Sequence, residues 1–322
     1  MLNFAGTASV IVAGFVFATD GQAAEYPMRP IRFVVPQPPG GGTDVVARML
    51  APRLSESLKQ QVIVDNRSGA AGIVGTELAA KAPPDGYTML LAYTGSFTIN
   101  PHLYRNLPYR PLEDFACVSL AAASPLMLAV HPSLGVASVP ELIAAAKARG
   151  TPLAYGTPGG GSLHHLAMEW IRTSAGIQMV HVPYKGSLSF NAVMAGEVSA
   201  AFVSVLSSLT QVRSGRVKAI GVTSRERLDV LPDVPTIAES GIRGFAAENW
   251  FGVAVPRGTS DSIVLRLSGL IARHVHTPEL KERFANTGAR AVGSTPQEFE
   301  QIVRSESRRW GEVVAKAGIV VE

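Results

Sequence analysis

The sequence has a single cysteine, Cys117, in 322 residues. An intrachain disulfide is therefore excluded, and no Cys/His cluster has the spacing of a zinc site, so no metal is expected. The stretch Asp114-Phe115-Ala116-Cys117-Val118 reads as a strand edge, which assigns the thiol a buried place. Charge is also sparse, at 17% of residues, with an excess of only four positive charges. No run of five or six Lys/Arg occurs, and no aromatic–basic interleaving, which excludes a nucleic-acid partner. The mild positive bias fits a solvated surface as well as a weak attraction for small anions. Long apolar runs are missing too, apart from Phe4 to Ala18. That run is short for a membrane span and right for the core of a signal peptide, with Gly21-Gln22-Ala23 as a small-x-small cleavage site. Residues 1–23 are thus expected to be a signal peptide, removed near Ala23 or Ala24, leaving an exported, soluble chain. No Lys or Arg precedes the apolar run, so the signal is weak or the true start lies elsewhere.

What is present is a globular composition, 47% hydrophobic, over a length that suits two cores. After Tyr26, strand-like and helix-like patterns alternate. Ile31–Val35 is a β-branched run stopped by Pro36, and Thr43–Leu58 has helical spacing, with a break or kink expected at Pro52. Gln61–Asp65 and Thr88–Ala92 read as strands, Gly72–Lys81 as a helix. The alternation resumes after Pro125. Ser138-Val139-Pro140-Glu141 forms a capping box, and strands follow at Leu153–Gly156, Gln178–Val182, Ser199–Val203 and Val217–Val222. After a strand at Phe251–Val255 the tail reads as helix, with Phe299, Ile302, Val303, Trp310, Val313 and Val314 on one face. Such alternation predicts parallel sheets covered by helices, in two α/β lobes. The lobe boundaries are set at 24–124 plus 250–322 for lobe 1, with the helical tail on it, and 125–249 for lobe 2. Two hinge strands are expected near Leu126–Val130 and Phe251–Val255.

The chemistry-bearing segments are Gly-rich. Pro36-Gln37-Pro38-Pro39-Gly40-Gly41-Gly42-Thr43-Asp44 lies where a strand ends and a helix begins. Its glycines admit close approach of a ligand, and the helix start offers free N–H groups to an anion. Asp44 would repel an anion it faced, so it is read as a capping group. Asn66–Gly75 is a second Gly-rich turn, equally consistent with tight helix–sheet packing and with binding. Thr94 and Ser96 add hydroxyls at the same sheet edge, and Gly156-Thr157-Pro158-Gly159-Gly160-Gly161-Ser162 supplies a matching loop in the second half. Catalysis finds less support. His164 and His165 diverge by about 100° on a helix and cannot chelate one metal. They are read as helix-start residues, and G-x-S-x-G is absent around Ser162.

At these segments the chain resembles the Bug-type substrate-binding proteins of tripartite tricarboxylate transporters. The matching stretches are YPMRPIRFVVPQPPGGGTDVVAR, NRSGAAGIVGTELAAKAPPDGYTMLL, HHLAMEW, HVPYKG, LPDVPTIAESG and NWFGVAVP, which span the mature chain in order. The resemblance implies a two-lobed periplasmic-binding-protein-like fold with a ligand cleft, a periplasmic location and capture of a small organic carboxylate. It implies delivery to the membrane permease subunits of such a transporter or, alternatively, presentation of the ligand to a membrane sensor; an enzyme using the same cleft is a further alternative. No cofactor is expected, and the protein is expected to be a monomer. The family's ligand loops fall on Gln37, Pro39, Gly40, Gly41 and Thr43, on Thr94 and Ser96, and on Gly156, Thr157, Gly161 and Ser162. Ser204 is a further candidate contact, in the segment Ala201-Phe202-Val203-Ser204 where many members carry an acid that can meet an amino group, and Gln37 stands where an aromatic is common. The first departure argues against amino-acid ligands.

Overall fold

The computed structural model describes Met1 and residues 26–186 and 188–319. The expected signal peptide and its cleavage site lie outside the described residues. The strands are β1 (Ile31–Val35), β2 (Val62–Asn66), β3 (Thr88–Tyr93), β4 (Phe115–Val130), β5 (Leu153–Thr157), β6 (Met179–Pro183), β7 (Ala200–Ser204), β8 (Lys218–Val222), β9 (Glu248–Pro256) and β10 (Arg290–Ala291). The helices are α1 (Gly42–Leu58), α2 (Ile73–Ala80), α3 (Asn100–Leu103), α4 (Pro111–Asp114), α5 (Val139–Ala148), α6 (Leu163–Ala175), α7 (Leu188–Met194), α8 (Val205–Arg213), α9 (Asp261–Val275), α10 (Pro278–Ala285) and α11 (Pro296–Ala317).

Strand order is β2-β1-β3-β9-β4-β7-β5-β6, with β8 and β10 joining β4. In each half the chain-consecutive βα units pair in parallel, β1 with β2 and β3, and β5 with β6 and β7. The antiparallel strands β4 and β9 lie between the two parallel groups. This is the two-part α/β arrangement expected from the alternation, and the two-lobed periplasmic-binding-type fold that the resemblance implies. Parallel strands need long crossovers, and those crossovers supply the helices that cover each face.

β4 is the spine of the molecule. Its first part pairs with β9 along Phe115–Pro125, and Leu126–Val130 pairs with β7 and β8. The chain therefore changes sheets at Ser124-Pro125-Leu126, where Leu126 N–H donates to Thr223 Oγ1 (2.8 Å) and Ala247 N–H to the Thr223 carbonyl (3.0 Å). The expected hinge strands are displaced from this point: Leu126–Val130 is already inside the second sheet and Phe251–Val255 inside the first. An apolar run pattern cannot show where a continuous strand exchanges partners.

Three further expectations need correction. α1 runs unbroken through Pro52, although the carbonyl of Arg48 loses its usual N–H donor there. α11 does more than cover the first lobe: Phe299 and Val303 pack with Phe97, Phe115 and Trp250, whereas Trp310 and Val314 enter the core built by Leu166, Ile171 and Phe202. The tail also contains the short strand β10, paired antiparallel to β4. Cys117 lies buried in β4 as expected, and burial pushes its thiol up to about 12.

Candidate functional site

The turn after β1 delivers the chain to α1 through Gly40, whose φ of +83° suits glycine. Asp44 fixes this turn from behind. Its carboxylate accepts from Gly40 N–H (3.0 Å), from Arg48 Nε (2.9 Å) and from Asn66 Nδ2 (3.0 Å). Burial alone would raise its pKa; the bonds from Arg48, Gly40 and Asn66 outweigh burial and hold it below the ordinary carboxylate range. The capping role expected for Asp44 is corrected: Gly41 is the N-cap and no side chain caps the helix, whereas Asp44 sits in the first turn and braces the loop through Gly40. With Gly41 as N-cap and Val45 N–H the first to bond back to it (3.0 Å), the N–H groups of Gly42, Thr43 and Asp44 have no partner within the helix.

Facing this turn, the chain enters α6 at Ser162, whose Oγ accepts from His165 N–H (3.3 Å), and α8 at Ser204, whose side chain makes no capping bond. The starts of α1, α6 and α8 converge on a cavity of about 130 Å³. Its wall includes Gln37, Gly40, Gly41, Gly42 and Thr43 from the first loop, Ser162, Leu163 and His164 from α6, and Ser204, Ser207 and Ser208 at α8. Ala71, Tyr93, Gly95, Asn100 and Asn249 close one end, and Pro158, Gly186, Ser189, Phe190, Phe202 and Val203 the other. The two halves meet at its rim: a Cβ on Gly186 would lie 2.6 Å from Pro38 Cγ.

Two features of this wall decide its chemistry. It contains no Asp, Glu, Lys or Arg. And three of its buried polar atoms, Thr43 Oγ1, Ser204 Oγ and Asn249 Oδ1, have no hydrogen-bond partner among the described residues. Buried polar atoms without partners cost roughly 1–3 kcal/mol each, and a concentration of them in one cavity marks a place prepared for a polar guest. Unpaired N–H groups at three helix starts add partial positive charge without any cation, so the guest they favour is an anion.

Of the residues expected from the sequence, Gln37, Gly40, Gly41, Thr43, Ser162 and Ser204 line this cavity. The others do not. Thr94 Oγ1 accepts from Trp250 N–H (2.9 Å), Ser96 Oγ donates to the Tyr93 carbonyl (3.2 Å), and both hydroxyls are fully buried in these local bonds. Thr157 Oγ1 is likewise engaged, with His181 Nε2 at 2.7 Å and the Gly159 carbonyl at 3.1 Å. Gly156 is a packing position, since a Cβ there would touch Val198 and Ser189. Gly161 gives its N–H to His165 Nδ1 (3.0 Å), and Pro39 is exposed. Sequence position places all of these at strand ends; side-chain direction, invisible to a pattern, removes them from the wall. The second Gly-rich turn resolves mainly as packing. A Cβ on Gly72 would lie 2.6 Å from Tyr93 Oη and one on Gly75 2.5 Å from the Arg67 carbonyl, although Ala71 reaches the wall.

Sequence reasoning missed Asn249, Asn100, Ser207, Ser208 and His164. His164 was read as a helix-start residue only, and it is one; its imidazole also lines the cavity, where burial pushes it down to about 4. His165 belongs instead to the support of the second loop. Its ring stacks on His181 with centroids 3.9 Å apart, and His181 stacks on Tyr155 (5.2 Å). Because His165 Nδ1 accepts from Gly161, its proton sits on Nε2. Burial and the neighbouring His181 depress its pKa to about 4, so the stacked pair is neutral.

Comparison with known proteins agrees with this geometry. Residues 46–319 match the family model described as tripartite tricarboxylate transporter family receptor. The protein BugT of Bordetella pertussis is 39% identical over 321 residues, 97% of this chain and 98% of that protein. Among solved structures, Rpa4515 of R. palustris with adipate superposes with a TM-score of 0.89 at 36% identity, covering 92% of this chain and 99% of that one. MatC from Rhodopseudomonas palustris with bound malate gives a TM-score of 0.85 at 29% identity, over 90% of this chain and all of that one.

Proposed function

The chain belongs to the tripartite tricarboxylate transporter receptor family, and from that premise we propose that it captures a small organic carboxylate in the cavity between its lobes and delivers it to the membrane permease subunits of such a transporter. Receptors of this family are periplasmic solute-binding proteins. The observation that carries the reading for this chain is the wall itself: converging helix starts and the unpartnered hydroxyls of Thr43 and Ser204, with no charged side chain. The volume, about 130 Å³, is on the scale of a small organic acid. Relatives crystallised with adipate and malate give the same class of guest.

The carboxylate contacts assigned here are the N–H groups of Gly42 and Thr43 with the hydroxyls of Thr43 and Ser204; Gln37, Ser162 and Asn249 border the guest. An ammonium group would find no acid in this wall, which disfavours amino acids. Catalysis has no support either, because Ser162 Oγ is bonded to the Gly159 carbonyl (2.9 Å) and no histidine ring is hydrogen-bonded to it among the described residues. The working division is 24–124 with 250–322 as one lobe and 125–249 as the other, with export preceding removal of residues 1–23. A thermal-shift panel of mono-, di- and tricarboxylates on the chain from Ala24 onward tests the function. A concentration-dependent rise with at least one small carboxylate, and none with the corresponding amide, is expected. A panel in which only amines or sugars raise the melting temperature overturns it.

A further inference from the structure

His164 sits in the first turn of α6 with its imidazole in the cavity wall, and it makes no hydrogen bond among the described residues. It is the one group in that wall able to become a cation near neutral pH. The wall's other titratable side chain, Tyr93, is committed: its hydroxyl donates to the Ala71 carbonyl (2.7 Å) and accepts from Gln37 Nε2 (2.7 Å). Nor do charges behind the wall compensate it. His165 is turned to Gly161 and stacked on His181, while Glu169 is bound by Arg172 (2.7 Å) and by the phenol of Tyr155 (2.7 Å).

We propose that His164 is the ligand-responsive charge of the cavity: neutral when the site is empty, it takes up one proton from solvent when a dicarboxylate is captured, and so selects dianions over monoanions. The inference rests on the carboxylate reading above. His164 is half-buried; in the empty protein this partial desolvation disfavours the imidazolium, and the positive ends of α1, α6 and α8 around it disfavour it further. One carboxylate is offset by those helix ends. A second carboxylate brings a second negative charge into a wall with no fixed cation, where an unmatched buried charge is costly. An opposite charge within ~4–6 Å shifts a pKa by about 1–3 units. A dianion beside His164 therefore moves the imidazole from about 4 to roughly 5–7. By linkage, the factor by which ligand raises proton affinity equals the factor by which the proton raises ligand affinity.

Two measurements test this, with adipate and malate as dianionic probes and hexanoate as the monoanion. The first is an NMR titration of the His164 imidazole, assigned by its loss in His164→Gln, in the empty and the saturated protein. The second is calorimetry at pH near 6 in buffers of different ionisation enthalpy, which counts protons taken up per ligand. We expect an upward shift of about two units on saturation with a dianion and net proton uptake that disappears in His164→Gln. In that variant the preference for adipate or malate over hexanoate should fall about tenfold or more. A His164 midpoint at the ordinary histidine value in the empty protein overturns the inference, as does dianion binding with the midpoint unmoved or with uptake persisting in the variant. Failure of these three acids and of every other carboxylate in the thermal-shift panel to bind overturns the carboxylate reading itself, and this inference with it.

Discussion

Thr43 and Asn249 are nearly inaccessible, at 3% and 8% exposure, yet each holds a polar atom with no partner. Both atoms destabilise the empty protein, but only the Thr43 hydroxyl can donate to a carboxylate, since Asn249 Oδ1 is an acceptor. Thr43→Val should weaken carboxylate binding, by about tenfold or less for one neutral hydrogen bond, whereas Asn249→Leu, which removes an unpartnered acceptor, should weaken it less. Neither should lower the melting temperature of the empty protein, and a clear loss there would mean that the atoms have partners after all. The glycines of the first loop divide the same way. A Cβ on Gly42 would lie 3.0 Å from Phe251 Cζ and 3.2 Å from Ser204 Oγ, inside the cavity. Gly41, at φ −80°, has its nearest neighbour at 3.7 Å and tolerates a Cβ. Titration calorimetry should show Gly42→Ala binding much more weakly and Gly41→Ala nearly unchanged; the reverse order would place the guest elsewhere. The three glycines in a row were legible as a binding loop. Which of them the guest approaches was not, because that depends on Phe251 and Ser204, more than 150 residues away in sequence.

Among the elements, α1 positions the site and carries a defect that the fold tolerates. Pro52 is exposed, and the helix continues through it on the strength of Val46, Met49, Leu50 and Leu54 packed beneath. Restoring the missing donor with Pro52→Ala should raise stability by roughly 1–2 kcal/mol, less than the ~3 kcal/mol cost of a helix proline because the unfolded chain regains freedom. A denaturant midpoint that falls instead would show that Pro52 shapes the helix in a way its neighbours need. α11 illustrates the opposite case. Its apolar face was read correctly from spacing, and Thr295 and Glu298 do form the reciprocal cap, with Glu298 N–H to Thr295 Oγ1 at 3.2 Å and Thr295 N–H to Glu298 Oε2 at 2.9 Å. Thr295→Ala should cost about 1 kcal/mol in equilibrium unfolding. That the face is shared between two cores was hidden, since Phe299 and Trp310 look alike in a helical period and differ only in what lies opposite.

At the scale of the whole molecule, the α/β alternation and the family resemblance were legible because βα units repeat with clear breaks at Gly and Pro. The crossing of the chain between lobes was not, because β4 is apolar from end to end and shows no break where it changes partners. The titratable groups also act together. His164, His165 and His181 all have folded pKa values below the ordinary histidine value, so between about 4 and 6.5 the unfolded chain binds more protons than the folded one. Stability of the empty protein should therefore fall as pH drops through that window, before Asp44, Asp65 and Glu169, whose carboxyls are depressed, add a further loss at lower pH. Replacing His165 with Asn, which keeps an acceptor for Gly161 N–H, should flatten the upper part of that fall in unfolding curves taken from pH 7 to 4. The central claim is that a carboxylate is held by helix starts and neutral side chains between the lobes. A crystal structure of the mature chain grown with the carboxylate that raises its melting temperature most is the direct measurement. It should show a carboxylate oxygen about 3 Å from the N–H groups of Gly42 and Thr43 and from Thr43 Oγ1, with no Arg or Lys in contact; a ligand held by an arginine, or bound outside this cavity, would contradict the account.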